Sequence, residues 1–253
     1  MSTIIDYLLF LWYILTIESS LEPRYDSLVD WKVKKIISLY SDSNKNGGGI
    51  RMNHKINDVG KLYNDSNDLY TRVVKEQADG IITELDAAIT TLKNVWEGVD
   101  AGVQINNVVD VHNGMVAVRN ALASLAKDSS AVAANYREIQ RMNKGNIEEL
   151  VPITVDEGKA RIPAYEDRRD TINITPEALN AKNRLDVATQ EYDTFKTAVE
   201  RSYNEIMDNW TAGIGRNNAE SAFNEFMANA NKYKQILADV SESIATALKN
   251  YQM

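Results

Sequence analysis

Cysteine is absent from the 253-residue chain, and histidine occurs only at His54 and His112. Without thiols there is no disulfide framework, no thiolate nucleophile and no cysteine-based zinc site. The two histidines have no paired-ligand or HExxH spacing. No P-loop, G-x-S-x-G elbow or dinucleotide fingerprint occurs, and Asp65, Asp68 and Asp79 lack the spacing, glycine and terminal glutamate of a calcium loop. A net charge of −8 opposes binding to a phosphate backbone. The expectation is a protein without catalysis, cofactor, metal or nucleic-acid partner. What remains is 44% hydrophobic and 25% charged, enough to bury a core.

Proline is scarce too, and its placement is informative. Three of the four prolines, Pro152, Pro163 and Pro176, fall in one short window, and the long flanking stretches after residue 51 have none, as long helices require. Asn143–Ile174, between those stretches, has clustered charge, Gly145 and Gly158 and no sustained period, so it is expected to be a linker, with Leu150–Val155 able to form a short extended piece. The first 51 residues stand apart. Tyr7–Ile17 is apolar but shorter than the roughly 20 residues of a membrane-spanning helix. Gly47-Gly48-Gly49 lies just before Met52, and glycine codons all begin GG, so this run has the look of a translated ribosome-binding site. Residues 1–51 are therefore expected to be leader, either mis-annotated upstream translation or a genuine hydrophobic segment. No membrane span is expected after residue 51.

Helical stripes follow. Ile81, Leu85, Ala88, Leu92 and Val95/Trp96 recur at three- and four-residue spacing, as do Phe195, Val199, Ser202, Ile206 and Trp210. Val118, Leu122, Leu125, Ala126 and Val132 form a further stripe after the first tryptophan. Tyr233, Leu237, Val240, Ile244 and Leu248 do so after the second. The two sets are an internal repeat. Ile81, Leu85 and Leu92 match Phe195, Val199 and Ile206, and beyond the tryptophans Val108, Val111, Leu122 and Leu125 match Phe223, Phe226, Leu237 and Val240. The single extra residue falls within the turn, where Trp96-Glu97-Gly98 faces Trp210-Thr211-Ala212-Gly213. Thr175, Pro176, Ile174 and Leu179 have the pattern of a capped, stapled helix start.

A helix, a Trp-x-Gly turn and a second helix in an acidic, cysteine-free chain resembles the WXG family of type VII secretion proteins, small helical hairpins related to the mycobacterial early secreted antigens. The resemblance covers 52–142, hairpin one, and 175–253, hairpin two, joined by the linker 143–174. Trp96 and Gly98 match the family turn in full; Trp210 and Gly213 carry one residue more. The family's export signal, Tyr-x-x-x-Asp/Glu, is not matched. Tyr136 is followed at the fourth position by Gln140, and Tyr251 is two residues from the last. The resemblance implies an all-α fold of two long hairpins packed as an antiparallel four-helix bundle. It implies partner recognition at Trp96, Gly98, Trp210 and Gly213, with Tyr136 and Tyr251 as C-terminal recognition residues. The implied partner is a secretion ATPase or a cognate cargo protein, with self-association open, and the implied location is outside the cell by a non-classical route, or the cytoplasm. The tryptophans either seal the bundle end or present a docking knob. A linker of ~105 Å contour at ~3.3 Å per residue can cross a bundle of helices ~60 Å long.

Other expectations are plainer. His112 reads as a surface histidine, Asn106-Asn107 and Asn217-Asn218 as exposed helix-start polarity, Tyr165–Asp170 as a solvated charge cluster, and Phe223 and Phe226 as core. Two alternatives stay open: a structural coiled-coil or phage-derived assembly protein, and a membrane-tethered helical module should the leader be genuine.

Overall fold

A computed structural model describes residues 56–166, 173–210 and 214–251, with side chains at 214–219 and 251 outside the description. All the described residues belong to one compact unit, Asn53–Met253. The leader expected at 1–51, Gly213, Asp167–Asp170 and the side chains of Asn217, Asn218 and Tyr251 lie outside the described residues.

The fold is all-α. The first helical rod comprises α1 (Val59–Asp68), a π-helical stretch (Leu69–Ala78) and α2 (Asp79–Val95). Asp58 starts it by accepting the backbone N–H of Lys61 at 2.9 Å, supplying one of the bonds that a first turn cannot make for itself. A two-residue strand, β1 (Trp96–Glu97), then leads into α3 (Val99–Lys144), which spans ~69 Å at ~1.5 Å per residue. After an extended segment come β2 (Asn173–Ile174), α4 (Ala178–Asn209) and α5 (Ile214–Tyr251). The α4 start departs from the expected staple: the backbone first turns at Thr175–Glu177, with Ala178 N–H donating to Thr175 C=O, and Leu179 is left exposed.

The core follows the predicted stripes. Ile81, Leu85, Ala88 and Leu92 of α2 and Phe195, Val199 and Ile206 of α4 are buried, as are Leu122, Leu125, Leu237, Val240 and Ile244. Such side chains contribute ~1.5–3 kcal/mol each on removal from water. α2 packs on α4 and α3 on α5, while α3 also lies along α1 and α2, and α4 along α5. At the α3–α5 contact Gly114 makes room for Tyr233: a Cβ there would lie 2.5 Å from the Tyr233 hydroxyl oxygen, and that side chain would have to shift. Phe226 is core, as expected, in edge contact with Phe195 at 5.5 Å between centroids, and half-buried Phe223 stacks on Tyr203. Among the described residues no helix is long and apolar enough to cross a membrane.

Candidate functional site

The two tryptophans are placed alike. Trp96 ends α2 and Trp210 ends α4, each in an extended conformation with its N–H bonded back into the helix it closes. Gly98 then reverses the chain at φ 110°, a left-handed region that side chains rarely enter. Both indoles are only 3% exposed. In this fold, then, neither tryptophan stands out as a docking knob, and the sealing role is the one their burial fits. What the turns touch is unexpected. Trp96 pairs antiparallel with Ile174, just ahead of α4, and Thr175 N–H donates to Val95 C=O at 3.0 Å. Trp210 forms an antiparallel bridge with Ile56, just ahead of α1. Each tryptophan turn thus holds the segment that starts the other half of the chain.

Exposed apolar side chains flank the first turn. Val99 is 73% and Val103 54% exposed, one helical turn apart at the start of α3. Tyr136 is half-buried on α3, with its hydroxyl pushed above the usual tyrosine range by burial. It lies within a helix that continues to Lys144, not beyond a helix end as a C-terminal signal would.

The segment expected to be a plain linker is an organised polar feature of the described residues. From about residue 151 to 165 it runs as an extended strap antiparallel to α3. Asn106 donates through Nδ2 to the carbonyl of Tyr165 at 2.9 Å and accepts that residue's N–H on Oδ1 at 2.7 Å. Asn113 holds Ile162 in the same two-bond clamp at 2.9 and 2.8 Å. Asn120 holds Lys159 at 2.9 and 2.9 Å. The asparagines are seven residues apart, two helical turns or ~10.5 Å, and the clamped residues three apart, ~9.3 Å in a polyproline-like chain. The two periods therefore stay in step. The three-residue period continues: Asp156 N–H donates to the Tyr70 hydroxyl and Ile153 N–H to Ser130 Oγ. Gly158 passes so close to Asn120 that a Cβ would sit 3.2 Å from Nδ2. Prolines 152 and 163 avoid every residue whose N–H is used.

One ionic anchor fixes the register. Arg119, fully buried, donates to Asp79 at 2.9 Å and to Asp156 of the strap at 2.6 Å. Lys75 reaches Asp156 at 2.7 Å and Asp79 at 3.1 Å. Hydrogen bonds from Lys75 and then Arg119 hold the Asp156 carboxyl far below the usual carboxylate range. Burial alone would raise Asp79, but the bonds from Arg119 and Lys75 outweigh it and keep it lowered. The π-helical stretch ends at this anchor and carries both Tyr70 and Lys75, in keeping with the association of π-helices and functional positions. At the strap's far end, Lys93 Nζ lies 5.4 Å over the Tyr165 ring.

Three expectations are corrected here. Asn106 is a strap ligand, not free helix-start polarity. Tyr165 is held at both its backbone groups, not in a solvated cluster. His112 is buried: its Nε2 lies 3.0 Å from Asp86, and its Nδ1 3.2 Å from the same Asn113 oxygen that accepts Ile162 N–H. Among the described residues no three His, Asp or Glu side chains gather where a metal could be held. Asparagines at seven-residue spacing and prolines that skip every third residue were the signals available in the sequence. The chain matches no protein-family profile, no curated protein and no solved structure.

Proposed function

We propose that the chain is a non-enzymatic, tandem WXG-type protein whose two Trp-turn hairpins pack as an antiparallel four-helix bundle. On this reading it works by protein–protein recognition in a type VII-like secretion system, as an exported protein or as the partner of exported cargo. The observation that carries the reading is the crossed pairing of the turns, Trp96 with Ile174 and Ile56 with Trp210. Two copies of a hairpin related by a two-fold axis place each start against the other's turn, and a fused pair reproduces this within one chain. The ion pairs agree with a duplicated hairpin. Asp79–Arg119 joins the first rod to α3, and at the matching repeat positions Asp193–Lys234 joins α4 to α5.

Burial of both indoles moves the recognition surface to the rim of the turn, where Val99 and Val103 face solvent. The test is co-expression with the membrane-bound ATPase of a type VII-like system, with the chain and its cargo followed in the culture medium. The expected result is accumulation that needs the ATPase and falls at least about tenfold in Val99→Glu/Val103→Glu, with helicity retained. Levels in the medium that ignore both the ATPase and the substitutions would refute the reading.

A further inference from the structure

We propose that the asparagine ladder of α3 is a binding site for an extended segment of another polypeptide, and that the strap fills it in cis as a resident pseudo-ligand. The clamps address backbone alone. A primary amide that gives its N–H to a carbonyl and takes the same residue's N–H in return recognises any residue except proline, provided the chain is extended. Val155 and Ile162 add an apolar preference where they pack against the core, and two positions carry a sharper side-chain preference. Arg119 and Lys75 require an acidic residue, filled here by Asp156. Lys93 favours an aromatic ring nine residues later, filled here by Tyr165. The ligand class is therefore a polyproline-like segment with an acidic residue first, free N–H groups three and six residues on, and an aromatic at the ninth.

Two observations separate a binding site from a mere path for the linker. The fold does not require the ladder. On α5 the repeat positions of Asn106, Asn113 and Asn120 are Ser221, Ala228 and Gln235, all exposed, and that helix packs without them. Nor does the crossing require it, since an unclamped chain of this length already spans the bundle. The strap adds only the partly buried Val155, Ile162 and Tyr165 to the edge of the core, while Asp156, Glu157, Gly158, Ala160, Arg161, Pro163 and Ala164 are all exposed. Its attachment is mainly polar and periodic, with a few apolar side chains beside the clamps, which is how a groove holds a replaceable chain. A competitor has to overcome a tether that keeps the strap at an effective concentration on the order of millimolar.

The experiment opens the groove without touching its walls. In the full chain, Lys159→Pro/Ile162→Pro/Tyr165→Pro removes the three N–H groups that the clamps accept. A fluorescent peptide with the sequence of residues 150–166 is then titrated and its anisotropy read. The peptide is expected to bind the strap-released chain at least about tenfold more tightly than the wild type, whose groove is filled. Adding Asn106→Ala/Asn113→Ala/Asn120→Ala should abolish that gain. A strap-released chain that keeps its helical signal and binds no peptide up to about 1 mM, or binds it regardless of the asparagines, overturns the proposal. Should that chain lose helicity, the wild type answers by hydrogen exchange. Excess peptide must then speed exchange at the amides of Lys159, Ile162 and Tyr165, and a peptide with proline at those positions must not. No acceleration overturns the proposal equally.

Discussion

At the residue scale, the structure separates side chains placed for packing from those placed for a bond. Tyr192 belongs to the first kind. It sits against Phe195 and Phe226, fully buried, and its hydroxyl has no hydrogen-bond partner among the described residues. Burial, with Tyr233 adding to it, drives that hydroxyl well above the usual tyrosine range. A buried polar group without a partner costs ~1–3 kcal/mol. Tyr192→Phe is therefore expected to raise stability by ~1 kcal/mol, and a lower denaturation midpoint would show that the hydroxyl is satisfied after all. Asn113 is the opposite case, with every polar atom of its side chain engaged. In the sequence the two are hard to tell apart. A tyrosine within a stripe reads correctly as core, but an asparagine at a polar helical position reads as surface unless its partner is known. That partner lies about fifty residues on, in a segment with no period of its own. The burial of His112 is hidden in the sequence for the same reason, because Asp86 meets it from another helix.

At the scale of elements, the long helices were legible because an apolar stripe at helical spacing has one economical solution. The π-helical stretch was not. Leu69, Val73, Val74 and Ala78 are buried, a pattern that fits an ordinary helix equally well, and the wider turn becomes visible only once Tyr70 and Lys75 are seen reaching the strap. The strap itself depends on charge as well as on clamps, and this sets its behaviour with pH. The folded-state carboxyl of Asp156 is depressed by Lys75 and Arg119. Its contribution is thus complete above the unfolded value of ~3.9 and is lost as pH falls below that toward the folded value. Melting curves of wild type and Asp156→Asn should differ at neutral pH and converge in acid below about pH 4. A gap that stays constant down to pH ~2 would mean the charge of Asp156 adds nothing to folding.

At the scale of the whole molecule, the repeat and its turns were readable, whereas the crossed pairing was not, because nothing local to Trp96 names Ile174. The crossing makes each turn answerable for both ends of the fold. Trp210→Ala is expected to cost ~3–5 kcal/mol in denaturant titrations, as for other buried aromatics. It should also speed exchange at the Asn57 amide, which donates to the Asn209 carbonyl at 3.4 Å. If the Asn57 amide stays protected while stability falls, the two halves do not unfold as one unit.

The same crossing dictates an order of events during synthesis. Ile56 emerges from the ribosome before its partner Trp210, which follows about a hundred and fifty residues later. At ~5–20 residues per second that is a delay of roughly eight to thirty seconds. Until α4 is made, the first rod, its apolar stripe already formed, has only α3 and the strap to lie against, while the surface that α4 will cover stays wet. The nascent chain is thus a half-built object with an open seam. Whatever meets it then, a chaperone or another nascent copy, meets a surface that the finished protein no longer shows.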